Sequence, residues 1–315
     1  MKAKPQYKAH AALIFANFLF GINYTITKGI MPNHVAPFAL ALLRVMAGVT
    51  FFWSVSLFMP QERIDKKDRF IIALAAFFGV FLNQVMFLSG LNLSTPINAA
   101  IIMTSNPLVV LLFSAVMLHE AITLKKVTGI IIGASGAVML TLFNVEGKLD
   151  FGSNTFLGNM FQLINTASYG LFLVIVKRVM QKYRPLTVLK WLYLFGFIYI
   201  FPLGIQPFTE IEWSAIPTDI YLSIAYLLIM VTIVAYFMNS YALQHVMPST
   251  VSIYIYSQPV IAAAFAILLG KDRLTWLEII AALLVFVGVY LVSYQKGRFR
   301  KLRNRKGAVK KIAGF

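Results

Sequence analysis

Ten apolar runs divide this chain between residues 9 and 294, each near the ~20 residues that a ~30 Å hydrocarbon layer demands of a helix. They cover approximately 9–28, 36–58, 70–90, 97–117, 124–143, 156–176, 187–204, 219–242, 249–269 and 275–294. Connections between them are short, and none reads as a soluble domain. Charged residues make up 12% of the chain and hydrophobic ones 59%, whereas a soluble domain carries about 25% charged residues. The fold expected is an all-α polytopic membrane protein with ten transmembrane helices. The first run extends past any short signal core and is followed by no small-residue cleavage site, so it is expected to stay as an anchor.

Lysine and arginine orient the array. With the N-terminus inside, ten spans return the C-terminus inside, and 23 basic residues fall on the cytoplasmic side against 4 outside. Nine of the 23 lie in the tail at 296–315, which accounts for much of the formal charge of +17. A basic tail after the last apolar run is read as a topology signal and a contact for anionic lipids, not as a nucleic-acid site; only Phe299 and Phe315 interrupt it as aromatics. The absence of cysteine excludes disulfides, thiolate metal sites and a thiol nucleophile.

The chain also repeats itself. Sliding it by 152 positions brings Pro96 onto Pro248, Ser105 onto Ser257, Pro107 onto Pro259 and Gly136 onto Gly288 without a gap. At an offset of 149, Phe20-Gly21 falls on Tyr169-Gly170 and Lys28 on Lys177. Five spans per copy is an odd number, so the second copy must lie upside down relative to the first. Residues 1–150 and 151–295 are thus expected to be two inverted five-helix repeats around a central cavity, with 296–315 as a basic cytoplasmic tail. Inverted repeats of this kind characterise secondary transporters. Pro96 and Pro248 suit a first helical turn, whereas Pro107 and Pro259, eleven residues on, interrupt an apolar span and serve as candidate hinges. Lipid tolerates such a break only where protein or a wet cavity satisfies the freed backbone.

Positions three, four and seven apart share a helical face. On that spacing Asn98, Ser105 and Asn106 line up in the fourth span, and Tyr254, Ser257 and Gln258 in the ninth. Asn17 and Tyr24 share a face of the first span with Gly21, and Gln162 and Tyr169 one of the sixth. Asn83 and Gln84 lie mid-span in the third, and Tyr236 with Asn239 in the eighth. Together they are expected to enclose one polar, aromatic-lined substrate site near the midplane, although each could also serve only to bond helix to helix. Arg44 is the one charge well inside a span. It has two readings: a contact to an anionic substrate group, such as an amino-acid carboxylate, or a structural group that bonds helix-end carbonyls or pairs with a loop acid. Lys28, near a helix end, is expected to snorkel toward the interface.

The array resembles the drug/metabolite transporter superfamily, specifically the EamA-type exporters built from two five-helix halves. The resemblance is carried by Gly90-Leu91 through Asn98-Ala99-Ala100 to Asn106-Pro107, by Leu118-His119-Glu120-Ala121-Ile122-Thr123, and by Gly129, Gly133 and Gly136. The second half repeats it as Ala242-Leu243, Pro259, Leu269-Gly270-Lys271-Asp272-Arg273-Leu274-Thr275 and Gly288. Phe20-Gly21 stands where the family usually shows tryptophan-glycine. The resemblance implies export of small metabolites, amino acids or toxic compounds across a bacterial inner membrane, and a second span that is peripheral rather than cavity-lining, which favours the structural reading of Arg44. No cofactor, metal or enzymatic activity is expected, since no His, Asp, Glu or Cys lies deep enough in a span to partner a serine.

The acids sharpen this. Ten of the eleven fall in loops or at span ends, and Thr275-Trp276-Leu277-Glu278 reads as a capping box that explains the eleventh. No carboxylate is therefore expected at mid-membrane to carry a proton or hold a cationic substrate. Neutral or zwitterionic substrates are expected instead. The alternatives are a nucleotide-sugar or phosphate-ester exchanger, which would call for two or more cavity cations, and a non-transporting receptor or scaffold, which leaves the broken repeats unexplained. Neither the substrate nor the oligomeric state is written in these motifs.

Overall fold

A computed structural model describes residues 5–118, 124–143, 148–149, 151, 153–270 and 272–293. The basic tail, the 119–123 connection and Lys271 lie outside the described residues. The chain folds into α1 (Pro5–Ile30), α2 (Pro37–Leu57), α3 (Lys66–Leu93), α4 (Pro96–Met103 and Asn106–Leu118) and α5 (Leu124–Leu142). The second half supplies α6 (Asn154–Lys182), α7 (Pro185–Thr209), α8 (Thr218–His245), α9 (Pro248–Ile253 and Ser257–Leu268) and α10 (Trp276–Ser293). Among the described residues eight of these are long and apolar enough to cross a membrane; α5 and α10 are shorter apolar helices. The protein is an all-α polytopic membrane protein of ten helices.

Local chemistry sets the starts. Proline opens α2, α4, α7 and α9, where its missing N–H costs nothing because the first turn has no intrahelical acceptor for it. The Ser153 hydroxyl accepts from the Phe156 N–H at 3.0 Å to start α6. At α10 the box is reciprocal: the Thr275 N–H donates to Glu278 Oε2 at 2.7 Å, and the Glu278 N–H to Thr275 Oγ1 at 3.3 Å.

Contacts between helices follow a two-fold scheme. The first helix of one half packs on the third and fourth of the other: α1 lies on α8 and α9, and α6 on α3 and α4. The second helices, α2 and α7, pair with each other, as do the fifth, α5 and α10. Close approach makes the exchange visible. A Cβ on Gly21 would lie 2.6 Å from the Cβ of Ile261, and one on Gly170 would lie 2.7 Å from Cγ1 of Val109. Val109 and Ile261 are 152 positions apart, so the same contact is made twice with the halves exchanged. Without a hydrophobic drive between helices in lipid, such small-residue contacts are what lets backbones pack.

Two irregularities also recur. Each third helix contains a π-helical segment, Phe77–Leu82 in α3 and Leu227–Ala235 in α8. Each fourth helix is broken. In α4 the Thr104 and Ser105 N–H groups turn back to Ile101 and Ile102, and in α9 Tyr254–Tyr256 form a 3₁₀ turn. Both breaks precede the prolines. Pro107 and Pro259 therefore stand in the first turn of the following half-helix, where a backbone donor is not required.

Candidate functional site

These irregular segments surround a cavity whose empty space, counting the open solvent at its mouth, is about 590 Å³. Asn17, Phe20, Asn23 and Tyr24 of α1, Asn83, Gln84 and Phe87 of α3, and Asn165 and Tyr169 of α6 form much of its wall. Tyr236 and Asn239 of α8, Gln258 of α9 and Arg44 of α2 complete the polar lining. Asn83 and Gln84 follow directly after the π segment of α3, and Tyr236 directly after that of α8. The extra residue in a π turn re-aims the side chains beyond it, a feature frequent at functional sites. Met103 and Ile255, the residues four before each interrupting proline, also line the cavity.

Most of the amides are held in place by one another. The Tyr24 hydroxyl donates to Gln258 Oε1 at 3.0 Å, Gln258 Nε2 to Asn17 Oδ1 at 2.7 Å, and Asn17 Nδ2 to the Leu13 carbonyl at 2.8 Å. This chain joins α1 to α9. A second one joins α3 to α6: Asn83 Nδ2 donates to Asn165 Oδ1 at 2.5 Å, Asn165 Nδ2 to Gln162 Oε1 at 3.2 Å, and Gln162 Nε2 to the Phe87 carbonyl at 3.0 Å. Between α6 and α8, Asn239 Nδ2 donates to the Tyr169 hydroxyl at 2.6 Å. Aromatic edges pack behind them, Phe20 against Tyr236 at 5.7 Å and Tyr24 against Phe87 at 5.4 Å between centroids. A satisfied buried network of this kind gives the wall one fixed shape.

Of the residues singled out in the sequence, Asn17, Tyr24, Asn83, Gln84, Tyr169, Tyr236, Asn239, Gln258 and Arg44 reach the cavity. Six do not. Gln162 stands one layer behind, bonding Asn165 and Phe87. Asn106 turns toward α6, giving Nδ2 to the Thr166 carbonyl at 2.9 Å. Ser105 is spent on the Ile102 carbonyl of its own helix. Asn98 is half-buried away from the lining. Ser257 is exposed and bonds the Tyr254 carbonyl, while the Tyr254 hydroxyl meets His10 Nδ1 at 2.7 Å, outside the cavity. The turns at Thr104–Ser105 and Tyr254–Tyr256 account for Ser105, Asn106, Tyr254 and Ser257, because a face traced at 100° per residue does not continue through a break. Asn23 and Asn165 were missed; Asn165 had a visible signal, three residues after Gln162 on the same face.

Arg44 overturns the expectation of a peripheral second helix. It is only 3% exposed, lines the cavity, and gives Nε to Thr232 Oγ1 at 3.1 Å. Thr232 lies in the π segment of α8, and its carbonyl accepts from the Tyr193 hydroxyl at 2.9 Å. Lys28, by contrast, neither snorkels freely nor enters the cavity: its Nζ donates to the carbonyls of Leu91, Asn92 and Ser94 at 2.9, 2.7 and 2.9 Å. Lys177 does the same in the second half, to Leu243 and Val246 at 2.5 and 2.7 Å.

Comparison with known proteins places this geometry. The model of the EamA-like transporter family matches twice, at residues 8–142 and 156–294. The uncharacterized transporter YetK of Bacillus subtilis (strain 168) is 24% identical, over 93% of this chain and 89% of its own length. An uncharacterized transporter of Archaeoglobus fulgidus is also 24% identical, over 91% of this chain and 97% of its own. A WAT1-related protein of Arabidopsis thaliana is 23% identical, over 94% and 84%. A solved crystal structure superposes with a TM-score of 0.62 at 18% identity, covering 93% of this chain and 99% of its own, a likeness of fold. With two helical repeats, each matching the family model, and a shared polar cavity between them, this chain belongs to the EamA-like transporter family and is a multi-pass membrane transporter.

Proposed function

We propose that the protein is a facilitator or weakly coupled exporter of small metabolites carrying no net positive charge, neutral or zwitterionic ones such as amino acids, working by alternating access. The observation that carries the reading is the composition of the cavity: amides, tyrosines, phenylalanines and one arginine, with no carboxylate among the lining residues. Coupling to protons ordinarily uses a buried acid exposed alternately to each side. The described acids nearest the helices are engaged elsewhere. Glu278 closes its capping box, and Asp68 accepts from Lys182 Nζ at 2.6 Å and from the Tyr183 hydroxyl at 2.8 Å. Residues 1–150 and 151–295 act as the two rocking halves, with the breaks before Pro107 and Pro259 as hinges and both termini in the cytoplasm. A phosphate-ester exchanger is disfavoured, since Arg44 is the single cation of the lining and Lys28 is occupied by carbonyls.

The test is counterflow of labelled metabolites in liposomes containing the purified protein alone. Exchange is expected without a pH gradient and unchanged when one is collapsed. Strict dependence on an imposed proton gradient, lost in Glu278→Gln, would sink the coupling claim.

A further inference from the structure

The hydrogen bonds of the cavity separate what is spent from what is not. Asn17, Asn83, Asn165, Asn239, Tyr24 and Gln258 use polar atoms on one another or on the backbone. Gln84 does not. It is 1% exposed, lines the cavity, and neither its Oε1 nor its Nε2 has a hydrogen-bond partner among the described residues. A buried amide left with both ends open is rare in folded proteins and points to a ligand. Arg44 is the second unspent group: one of its five donors reaches Thr232, and no acid lies against it among the described residues. The Tyr236 hydroxyl also lines the cavity without a hydrogen-bond partner there, its ring 6.0 Å from that of Tyr193, which bonds Thr232. α2 packs on α3 and on the π segment of α8, and Arg44, Gln84 and Tyr236 are all wall residues of the one cavity.

We infer that this wall is the receptor for a single carboxylate, and that, beside the neutral and zwitterionic metabolites proposed above, the transporter accepts small organic acids of net charge −1 and binds them more tightly. The guanidinium fork suits a carboxylate in bidentate fashion, with the Gln84 amide and Tyr236 hydroxyl as further donors. Without such an anion the wall holds an uncompensated buried charge, which is costly; with it the charge is neutralised in place. A zwitterion gains the same contact but brings an ammonium for which the lining has no counter-charge. The Phe20, Phe87 and Tyr24 rings accept the apolar remainder.

The inference rests on the transport reading, and two isosteric series separate the two. Binding of mandelate, phenylglycine and mandelamide, and of lactate, alanine and lactamide, is measured by calorimetry on the purified full chain at pH 7. In at least one series the acid is expected to bind about tenfold tighter than the amide, with the amino acid between. Arg44→Gln should weaken acid binding about ten- to a hundredfold and leave the amide unchanged. Arg44→Lys should keep the preference for the acid at lower affinity, and Gln84→Leu should weaken acid binding without altering the monodisperse profile. An amide or amino acid that binds as tightly as its acid in both series, or no binding of either acid, overturns the inference. In the counterflow assay, exchange of neutral or cationic metabolites alone would overturn it while leaving transport standing; no exchange of any metabolite would remove the transport reading beneath it.

Discussion

Lys28 offers the sharpest test of how the halves are held. Its ammonium has three donors, and all three meet carbonyls at 2.7–2.9 Å around the C-terminal end of α3. Those carbonyls are among the orphans that any helix end leaves, and the cation also complements the negative end of the helix dipole. A hydrogen bond to a charged group contributes about 1.5–3 kcal/mol when nothing replaces it. Lys28 is half-buried, so water restores part of what its removal takes away. Lys28→Met is therefore expected to cost about 2–4 kcal/mol, less than three full bonds. Lys177 meets two carbonyls, and Gln244 Nε2 adds bonds to the Met180 and Tyr183 carbonyls at 3.0 and 2.8 Å, tying the same helix ends together. Lys177→Met should thus cost less, about 1–2 kcal/mol. The two sites lie in different halves, so the double variant should be additive within about 0.5 kcal/mol. Reversible unfolding in mixed micelles measures all three. Equal losses at the two lysines, or no loss at Lys28, would refute the reasoning.

Gly288→Ala should be severe, because the added methyl would sit 2.5 Å from the Gly129 carbonyl oxygen and from the Gly133 Cα; backbone cannot move aside as a side chain can, and thermal stability in detergent should fall by the equivalent of about 1–3 kcal/mol. Pro259→Ala restores a backbone donor next to the 3₁₀ turn and is expected to slow counterflow with expression largely kept; unchanged kinetics and unchanged binding would show the break to be ornamental. A C-terminal tag should be inaccessible from outside intact cells, and labelling by an impermeant reagent would overturn the orientation drawn from the 23 to 4 distribution of basic residues.

The framework was legible because lipid leaves few choices. Span length, the odd number of spans per repeat and the positions of Pro96, Pro107, Pro248 and Pro259 gave the helices, the duplication and the places where α4 and α9 break. The cavity was legible on α1 and α3, where Asn17, Tyr24, Asn83 and Gln84 stand out against apolar neighbours. It was not legible on α2. Apart from Arg44, the mid-span of that helix is apolar on every side, so no periodicity says which face meets the protein. Nor could it be followed across the breaks, where Ser105, Asn106, Tyr254 and Ser257 were placed by a helical period that stops there. The π segments left no trace in residue type, although they decide where Gln84 and Tyr236 point.

Two levels of symmetry meet in this molecule and pull apart at the cavity. The contacts that let the halves pack are duplicated: Gly21 on Ile261 and Gly170 on Val109, Lys28 and Lys177 on helix ends, a π segment in each third helix. The chemistry of the lining is not duplicated. Gln84 corresponds to Tyr236 at the offset of 152. Arg44 stands seven residues after the proline that opens α2; the same place after Pro185 in α7 is Leu192, which is buried. Under the alternating access proposed above, an exchangeable framework would make the two access states similar in energy, since each half could adopt the shape of the other. In that cycle a single unduplicated charge would keep its place among α2, α3 and α8 while the surroundings exchange. Introducing a second cation by Leu192→Arg should break that arrangement. In a site with one anionic ligand, the added charge would stay buried without a partner. Counterflow is expected to be lost in Leu192→Arg and unaffected by the volume-conserving Leu192→Met. Retention of transport by the arginine variant would show that a second buried cation is tolerated in the other half, and that the uniqueness of Arg44 is incidental.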